Sequence, residues 1–269
     1  SEAFQDEERT ITNQRLAELD GFDREALPPA GQLSLDLYQM SLERSQMMDD
    51  FRHHQYAIHQ YRGAHTSIPS SLINIHSIQS IADAEAYIDR LNNVRTVMDE
   101  MIEQLSIRAD KGLQLVDWMY PKIKVSATNV ITGQPFDDSD KESPVWSDFQ
   151  TKVRALELRE SEEGRLINGA RDALIGSFKP AYLDFIATVD QSAADASSDD
   201  GVWRFPNGAE YYQRLLKWFT TTDLTADEVH ELGLQNVARI HGEMRAIQEQ
   251  VGFEGSLQEF FVFVRENQD

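Results

Sequence analysis

The stretch TADEVHELGLQNVARIHGEMRAIQEQVG, which runs from Thr225 to Gly252, carries the start and stop signals of one long helix. Thr225 can cap the amino end, and Glu228 can reach back to the Thr225 amide and complete a capping box. Glycine tolerates the left-handed conformation in which many helices end, so Gly252 marks the carboxyl end. Between these signals lie apolar residues at three- to five-residue steps: Val229, Leu232, Val237, Ile240, Met244 and Ile247. This spacing predicts an amphipathic helix with one apolar stripe.

An aromatic segment from Trp203 to Gly208 precedes this helix and supplies the candidate binding site. A helix with paired tyrosines follows it, and the chain then breaks at 220–223. A guanidinium, an amide and two phenols lie close together in this sequence, and such groups hold the carboxylate or backbone of a peptide. The predicted substrate-binding residues are Arg204, Asn207, Tyr211 and Tyr212. In the alternative interpretation, Trp203 and the tyrosines only anchor the preceding linker onto the helices.

The same kinds of signal predict a succession of helices upstream and one downstream. The clearest begins at Ser80 and carries apolar residues at three- or four-residue steps as far as Ala109. Other helices are predicted from Phe4 to Leu19, Ser34 to Ile58, Leu113 to Val130 with an interruption near Pro121, Ser143 to Leu156, Ser161 to Val189 with a bend or break at Pro180, and Ser256 to Arg265. The segment 27–31 is predicted to be a loop, because it contains two prolines and a glycine.

These patterns predict a mainly helical, all-α fold, because no alternation of period two extends beyond a few residues. Residues 190–201 are rich in Ser, Ala and Asp and are predicted to form an exposed linker. The linker separates an N-terminal helical region, 1–189, from the aromatic turn and C-terminal helices, 202–269. We expect these two regions to pack as one lobe.

Composition limits the classes of function. The 269 residues are 41% hydrophobic and carry a net charge of −21, which argues against nucleic acid as a partner. The sequence contains no run of about 18 apolar residues, so we expect no membrane span, and no signal peptide is present in the chain. There is no cysteine, which excludes disulfides and thiol nucleophiles in these residues.

The histidines do not have the spacing of a metal site. His230 is followed by Glu231 as in a zinc helix, but the second histidine would be needed at position 234, which is Leu234. His241 lies about three turns, or roughly 16 Å, farther along the helix, too far for one metal ion. The remaining histidines are His53, His54, His59, His65 and His76. The sequence therefore predicts no metal ligand and no catalytic residue in this chain.

Several segments together resemble the bacterial domain-of-unknown-function family 885. The resemblance is carried by the run Trp203-Arg-Phe-Pro-Asn-Gly with the paired tyrosines, by His230-Glu-Leu-Gly-Leu, and by Glu243-Met. It extends to Ile68-Pro-Ser-Ser-Leu and to Asp83-Ala-Glu-Ala-Tyr-Ile-Asp-Arg-Leu. That family is similar to zinc-dependent peptidases of the gluzincin type, and its members are mostly helical and often exported as lipoproteins.

The resemblance implies that this chain is one part of a longer protein whose zinc site lies in another part. The zinc-binding histidine–glutamate motif of the family lies in a C-terminal half, so this chain resembles the N-terminal, non-catalytic half of a peptidase of carboxypeptidase or dipeptidase type. Zinc is then expected only in the missing half, and long antiparallel helices here would form one wall of a channel for a peptide substrate. The implied location is the periplasm or, as a lipoprotein, the outer membrane.

Two further expectations concern partners. The run Phe260 to Val264 is apolar on more than one side of the last helix, so self-association through that helix is expected. The alternative to a peptidase half is a self-sufficient helical binding or scaffold module with no catalysis. A reading frame that continues for a few hundred residues into a His-Glu zinc helix would favour the first interpretation.

Overall fold

The computed structural model describes residues 1–267, and these residues form helices and loops without any strand. The helices are α1 Glu2–Leu19, α2 Pro29–Met47, α3 Ala64–Asn74, α4 Ile81–Asp110, α5 Met119–Val130, α6 Pro144–Arg154, α7 Glu160–Ala173, α8 Lys179–Ala194, α9 Gly208–Thr220, α10 Ala226–Gln250 and α11 Leu257–Glu266. Short 3₁₀ turns lie at Arg24–Ala26, Asp49–Phe51 and Val202–Arg204, and a π-helical segment at Leu174–Phe178. The prediction of an all-α fold is confirmed.

Helix starts that carry a capping signal lie where the sequence predicts them. Thr225 and Ser256 each form a complete capping box with the glutamate three residues later. Ser80 and Ser143 accept a hydrogen bond from the amide three residues on, at the starts of α4 and α6. Each of these side chains satisfies an amide that the first turn of a helix leaves without a partner.

The helix predicted from Ser34 to Ile58 is wrong at both ends. α2 begins at Pro29, within the predicted loop, because proline at the first helical position lacks only an amide that the helix would not use. It ends at Met47, and a 3₁₀ turn at Asp49–Phe51 then redirects the chain. Apolar periodicity does not signal this end, because the side chains beyond it are held by contacts with distant parts of the chain.

A bend or break is predicted at Pro180, but the chain stays helical there, with Pro180 in the first turn of α8. Proline donates no amide hydrogen bond, so the regular i to i−4 hydrogen bonding is interrupted locally. The chain adopts one π-helical stretch, Leu174–Phe178, between α7 and α8. Pro121 interrupts less than predicted, because α5 begins only at Met119 and the proline lies in its first turn.

The main hydrophobic core lies around α4, which packs against α3, α7, α8 and the π-helical segment. Its largest side chains are almost fully buried: Tyr87, Leu91, Met98, Phe149, Leu166, Phe178, Tyr182 and Phe185. Fully burying one such apolar side chain stabilises the fold by about 1.5–3 kcal/mol. Aromatic contacts add to this, as between Phe178 and Tyr182, whose rings stack with centroids 4.6 Å apart.

Lys152 on α6 completes the carboxyl end of α3. Its Nζ donates to the backbone carbonyls of Leu72, Ile73 and His76 at 3.0, 2.8 and 2.8 Å, and pairs with the Asp148 carboxylate at 2.8 Å. The last carbonyls of a helix lack intrahelical partners and carry partial negative charge, so an ammonium group there is stabilising. This contact joins α6 to the end of α3.

The chain divides into two compact units, Ser1–Gly208 and Ala209–Asp269. The predicted linker differs in detail, since α8 extends to Ala194 and the chain has no helix from there until Val202. In the second unit, the rings of Phe253, Phe260 and Phe263 contact one another, with centroid distances from 5.0 to 6.4 Å. The packing of residues 1–189 with 202–269 as one lobe stays a prediction.

The apolar stripe of α10 remains exposed. Leu232, Val237, Ile240 and Ile247 are between 38% and 51% exposed, and Gln248 is the buried residue that the helix contributes. In α11, Phe260 is buried, while Phe261, Val262, Phe263 and Val264 are 40–55% exposed. An exposed apolar surface of this extent marks an interaction site in most soluble proteins.

Candidate functional site

The aromatic turn from Trp203 to Gly208 forms, with the two residues before it, a tight and well-connected loop. The Phe205 amide donates to the Val202 carbonyl at 3.1 Å, and the Gly208 amide donates to the Phe205 carbonyl at 2.9 Å. The backbone passes so closely that a Cβ on Gly208 would lie 1.9 Å from the Val202 carbonyl oxygen. A side chain at position 208 is therefore incompatible with this turn.

Phe205 anchors the turn on the segment that follows α2. Its ring is 6% exposed and meets the rings of His54 and Tyr56 edge-on, at centroid distances of 6.0 and 5.9 Å. His54 Nε2 lies 2.9 Å from the carbonyl oxygen of Pro206 and donates to it. The turn is thereby joined to residues about 150 positions earlier in the chain.

Arg204 is half-buried, and its guanidinium lies over the Phe205 ring at 4.6 Å. Its Nη2 donates to the Tyr56 hydroxyl at 2.9 Å and to the Gln114 carbonyl. Burial raises the pKa of the neighbouring Tyr120 hydroxyl, while the charge of Arg204 acts to lower it. These contacts join the turn to the segment after α2 and to the connection between α4 and α5.

A second polar cluster, unforeseen from the sequence, lies around Glu2. The Gln104 amide donates to Glu2 at 2.8 Å, Arg52 pairs with Glu2 at 2.7 Å, and His53 lies 3.1 Å from it. The Gln104 hydrogen bond is the main reason why the pKa of Glu2 falls to about 2, although burial opposes it. Gln104 also accepts from the buried Arg108 at 2.6 Å. No local sequence motif predicts this cluster, because its residues come from α1, α4 and the segment after α2.

Little space remains between Arg108 and the partners of Arg204. A cavity there has a volume of about 10 Å³ and is bordered by Tyr56, Gln114 and Tyr120. That volume is about one water molecule. This part of the structure is packed and offers no room for a peptide.

The four predicted binding residues fall in different surroundings. Arg204 is engaged by protein acceptors, and Asn207 is exposed with a left-handed backbone, φ +55°. Tyr211 is buried and Tyr212 is 44% exposed, both on α9 in the second unit. Their role in binding a substrate stays a prediction.

The described residues do not fit a zinc ion. Within residues 1–267, no group of three or more His, Asp or Glu side chains is arranged to hold a metal. His53 contacts Glu2, His54 contacts Pro206, and His76 Nε2 contacts the Asp83 carbonyl at 3.0 Å. His65 is fully buried, and neither of its ring nitrogens has a hydrogen-bond partner in the described part of the chain.

Residues 1–267 are helical and contain no strand, which defines the class of the protein as all-α. The chain belongs to the family described as bacterial protein of unknown function (DUF885), whose model matches residues 1–269. No curated protein sequence is a match for the chain. Among solved structures, the crystal structure titled "putative lipoprotein from Colwellia psychrerythraea" is similar, with a TM-score of 0.73 and 20% sequence identity. The similarity covers 97% of this chain and 46% of that one, so this chain spans about half the length of its structural neighbour.

Proposed function

We propose that this chain is a non-catalytic helical portion of an exported zinc metallopeptidase-like protein, of carboxypeptidase or dipeptidase type, and that it forms one wall of a peptide-binding channel. The proposal rests chiefly on the apolar stripe of α10. Four of its side chains are at least 38% exposed on a helix that is otherwise well formed and fully capped. Such a surface is costly to leave in water, so we infer that another part of a longer protein covers it.

Two observations agree with this proposal. The similar structure from Colwellia psychrerythraea is about twice as long as this chain and is described as a "putative lipoprotein", which supports the proposal of an exported, lipid-anchored protein. Within residues 1–267, no helix is long and apolar enough to cross a membrane. Any zinc would belong to a part of the longer protein outside these 269 residues. The second candidate is a self-sufficient helical module without catalysis. It is supported by the large core of the first unit, whose side chains are buried by residues of that unit itself.

Binding without cleavage is the expected result when this chain meets a peptide. A fluorescein-labelled tetrapeptide containing one lysine suits the net charge of −21. We expect fluorescence polarisation to detect binding, and we expect no hydrolysis after Zn²⁺ is added. Tyr212→Ala should weaken binding about fivefold, since loss of one aromatic contact is worth about 1 kcal/mol.

Tyr61→Ala provides the matched control, because Tyr61 is 82% exposed and lies outside the predicted site. It should leave the affinity unchanged. Absence of any peptide binding would favour the scaffold module over the channel wall. Hydrolysis that stops when a chelator is added would contradict the proposal that this portion is non-catalytic.

A further inference from the structure

A groove between α3 and α4 is independent of the aromatic turn and of the apolar stripe. It consists of two adjoining cavities of about 300 and 490 Å³. Ser71, Leu72 and Arg90 line both of them. A volume near 300 Å³ is at the lower end of the range for small-molecule sites.

Arg90 supplies the charge at the junction of the two cavities. It is exposed, and its side-chain contact within residues 1–267 is with the His76 ring rather than with a carboxylate. By contrast, Arg95, five residues along the same helix, pairs with Asp99 and Asp184 at 3.0 and 2.6 Å. In a chain with a net charge of −21, an arginine without an acidic partner in a groove is suited to an external anion.

His76 orients the Arg90 guanidinium. The Nε2 of His76 donates to the Asp83 carbonyl at 3.0 Å, which leaves Nδ1 as an acceptor. Arg90 Nη1 donates to that Nδ1. Burial is the largest cause of the lowered pKa of His76, so the ring stays neutral and keeps this lone pair at neutral pH. The other guanidinium donors have no partner among the described residues and remain available for a ligand.

The two cavities differ in character, and this difference sets the orientation of a ligand. The smaller cavity is mostly apolar and is bordered by Ile68, Val94 and Val97. The larger one contains Asp83, whose carboxylate accepts hydrogen bonds from Gln79 and Ser80 and carries negative charge. A carboxylate would be repelled from the Asp83 end. Its apolar part therefore belongs in the smaller cavity, with the carboxylate on Arg90.

We propose that the groove between α3 and α4 binds an aliphatic carboxylate, with the carboxylate on Arg90 and the Ser71 hydroxyl nearby, and the chain against Ile68, Val94 and Val97. Arg and carboxylate form charge-assisted, often bidentate hydrogen bonds. The same chemistry is offered by a short fatty acid and by the carboxyl end of a peptide with an apolar last residue. A ligand of this size should bind with a dissociation constant of about 1 mM.

The test is an NMR titration of the isotope-labelled chain with hexanoate, N-acetyl-leucine and the neutral N-acetyl-leucinamide. We expect both carboxylates to shift the amide resonances of Ser71, Val94 and Val97, and the neutral amide to bind at least about tenfold more weakly. Tighter binding of hexanoate would identify the fatty acid as the source of the ligand. Tighter binding of N-acetyl-leucine would identify the peptide end.

Two variants make the site assignment specific. Arg90→Gln should weaken the binding of both carboxylates about tenfold. Arg95→Gln removes the same charge from a position that is paired with Asp99 and Asp184, and it should leave the binding unchanged. Ser71→Trp, at an exposed position shared by the two cavities, should block binding while the chain stays folded. Equal binding of the neutral amide, or equal losses in Arg90→Gln and Arg95→Gln, would overturn the proposal.

Discussion

Replacing Phe185 by alanine should lower the free energy of unfolding of the first unit by about 3–5 kcal/mol. Phe185 on α8 is fully buried, and its ring stacks on that of His65 with centroids 5.4 Å apart. Truncation removes apolar contacts and leaves a cavity that the surrounding helices close only in part. Urea denaturation followed by circular dichroism measures the loss.

Leu183→Ala is the matched control for this substitution. Leu183 lies two residues earlier on the same helix and is 48% exposed. Its truncation should change the free energy of unfolding by less than about 1 kcal/mol. Similar losses for the two variants would show that the core does not lie where the structure places it.

Lowering the pH from 6.5 to 4 should remove roughly 2–3 kcal/mol of stability through His65 alone. Burial, followed by the charge of His59, lowers the pKa of His65 to about 4. Below pH 6.5 the unfolded chain binds a proton at this residue more readily than the folded chain does. The contribution of neutral His65 to the free energy of unfolding is therefore complete above pH 6.5 and is lost as the pH falls through 4.

The structure explains why His65 resists protonation. The side chain packs against Phe185, and the Gly63 backbone approaches so closely that a Cβ there would lie 2.7 Å from its Nδ1. No acceptor in residues 1–267 faces either ring nitrogen, so an imidazolium would have no hydrogen-bond partner. The carbonyl of His65 is already used, because it accepts from the Tyr182 hydroxyl at 2.9 Å.

Denaturation of the wild type and of His65→Leu at a series of pH values isolates this effect. The difference in the free energy of unfolding between the two proteins should change by roughly 2–3 kcal/mol between pH 6.5 and 4. His230→Gln, at an exposed histidine, serves as the control variant. An unchanged difference between the wild type and His65→Leu would contradict a buried, neutral His65.

Local signals in the sequence predict much of the helical framework. The capping boxes at Thr225 and Ser256 involve residues three positions apart, and both are present in the structure. Pro180 predicts a disturbance of the helix, and a π-helical segment precedes it in place of a break, because a missing amide donor acts within one turn. Each of these features depends on neighbouring residues, so periodicity and propensity are sufficient to predict it.

Features that depend on distant residues were not predictable in this way. α2 ends at Met47 rather than near Ile58, although apolar residues continue at helical spacing. The partners of Arg204, at positions 56 and 114, are 148 and 90 residues away in sequence. The groove at Arg90 arises only when α3 packs against α4. No local pattern in the sequence encodes such juxtapositions.

The candidate site was predictable only as a segment. The sequence singles out the aromatic turn, and the structure shows a loop whose Gly208 admits no side chain. The hydrogen bonds from Arg204 to Tyr56 and Gln114 could not be predicted, because both partners are distant from Arg204 in sequence. In the same way, the apolar stripe of α10 predicts a helix but does not predict which surface packs against that stripe.

The proposed interaction surface on α10 is most directly tested by sedimentation equilibrium of the 269-residue chain. With the apolar stripe uncovered, we expect the chain to self-associate in a concentration-dependent way. The double substitution Val237→Glu and Ile240→Glu should weaken this self-association with unchanged helix content, although the exposed apolar residues of α11 remain. Gln235→Glu with Ala238→Glu, on the opposite face of the helix, should associate as the wild type does. A wild-type chain that remains strictly monomeric at all concentrations would contradict the assignment of the apolar stripe as an interface.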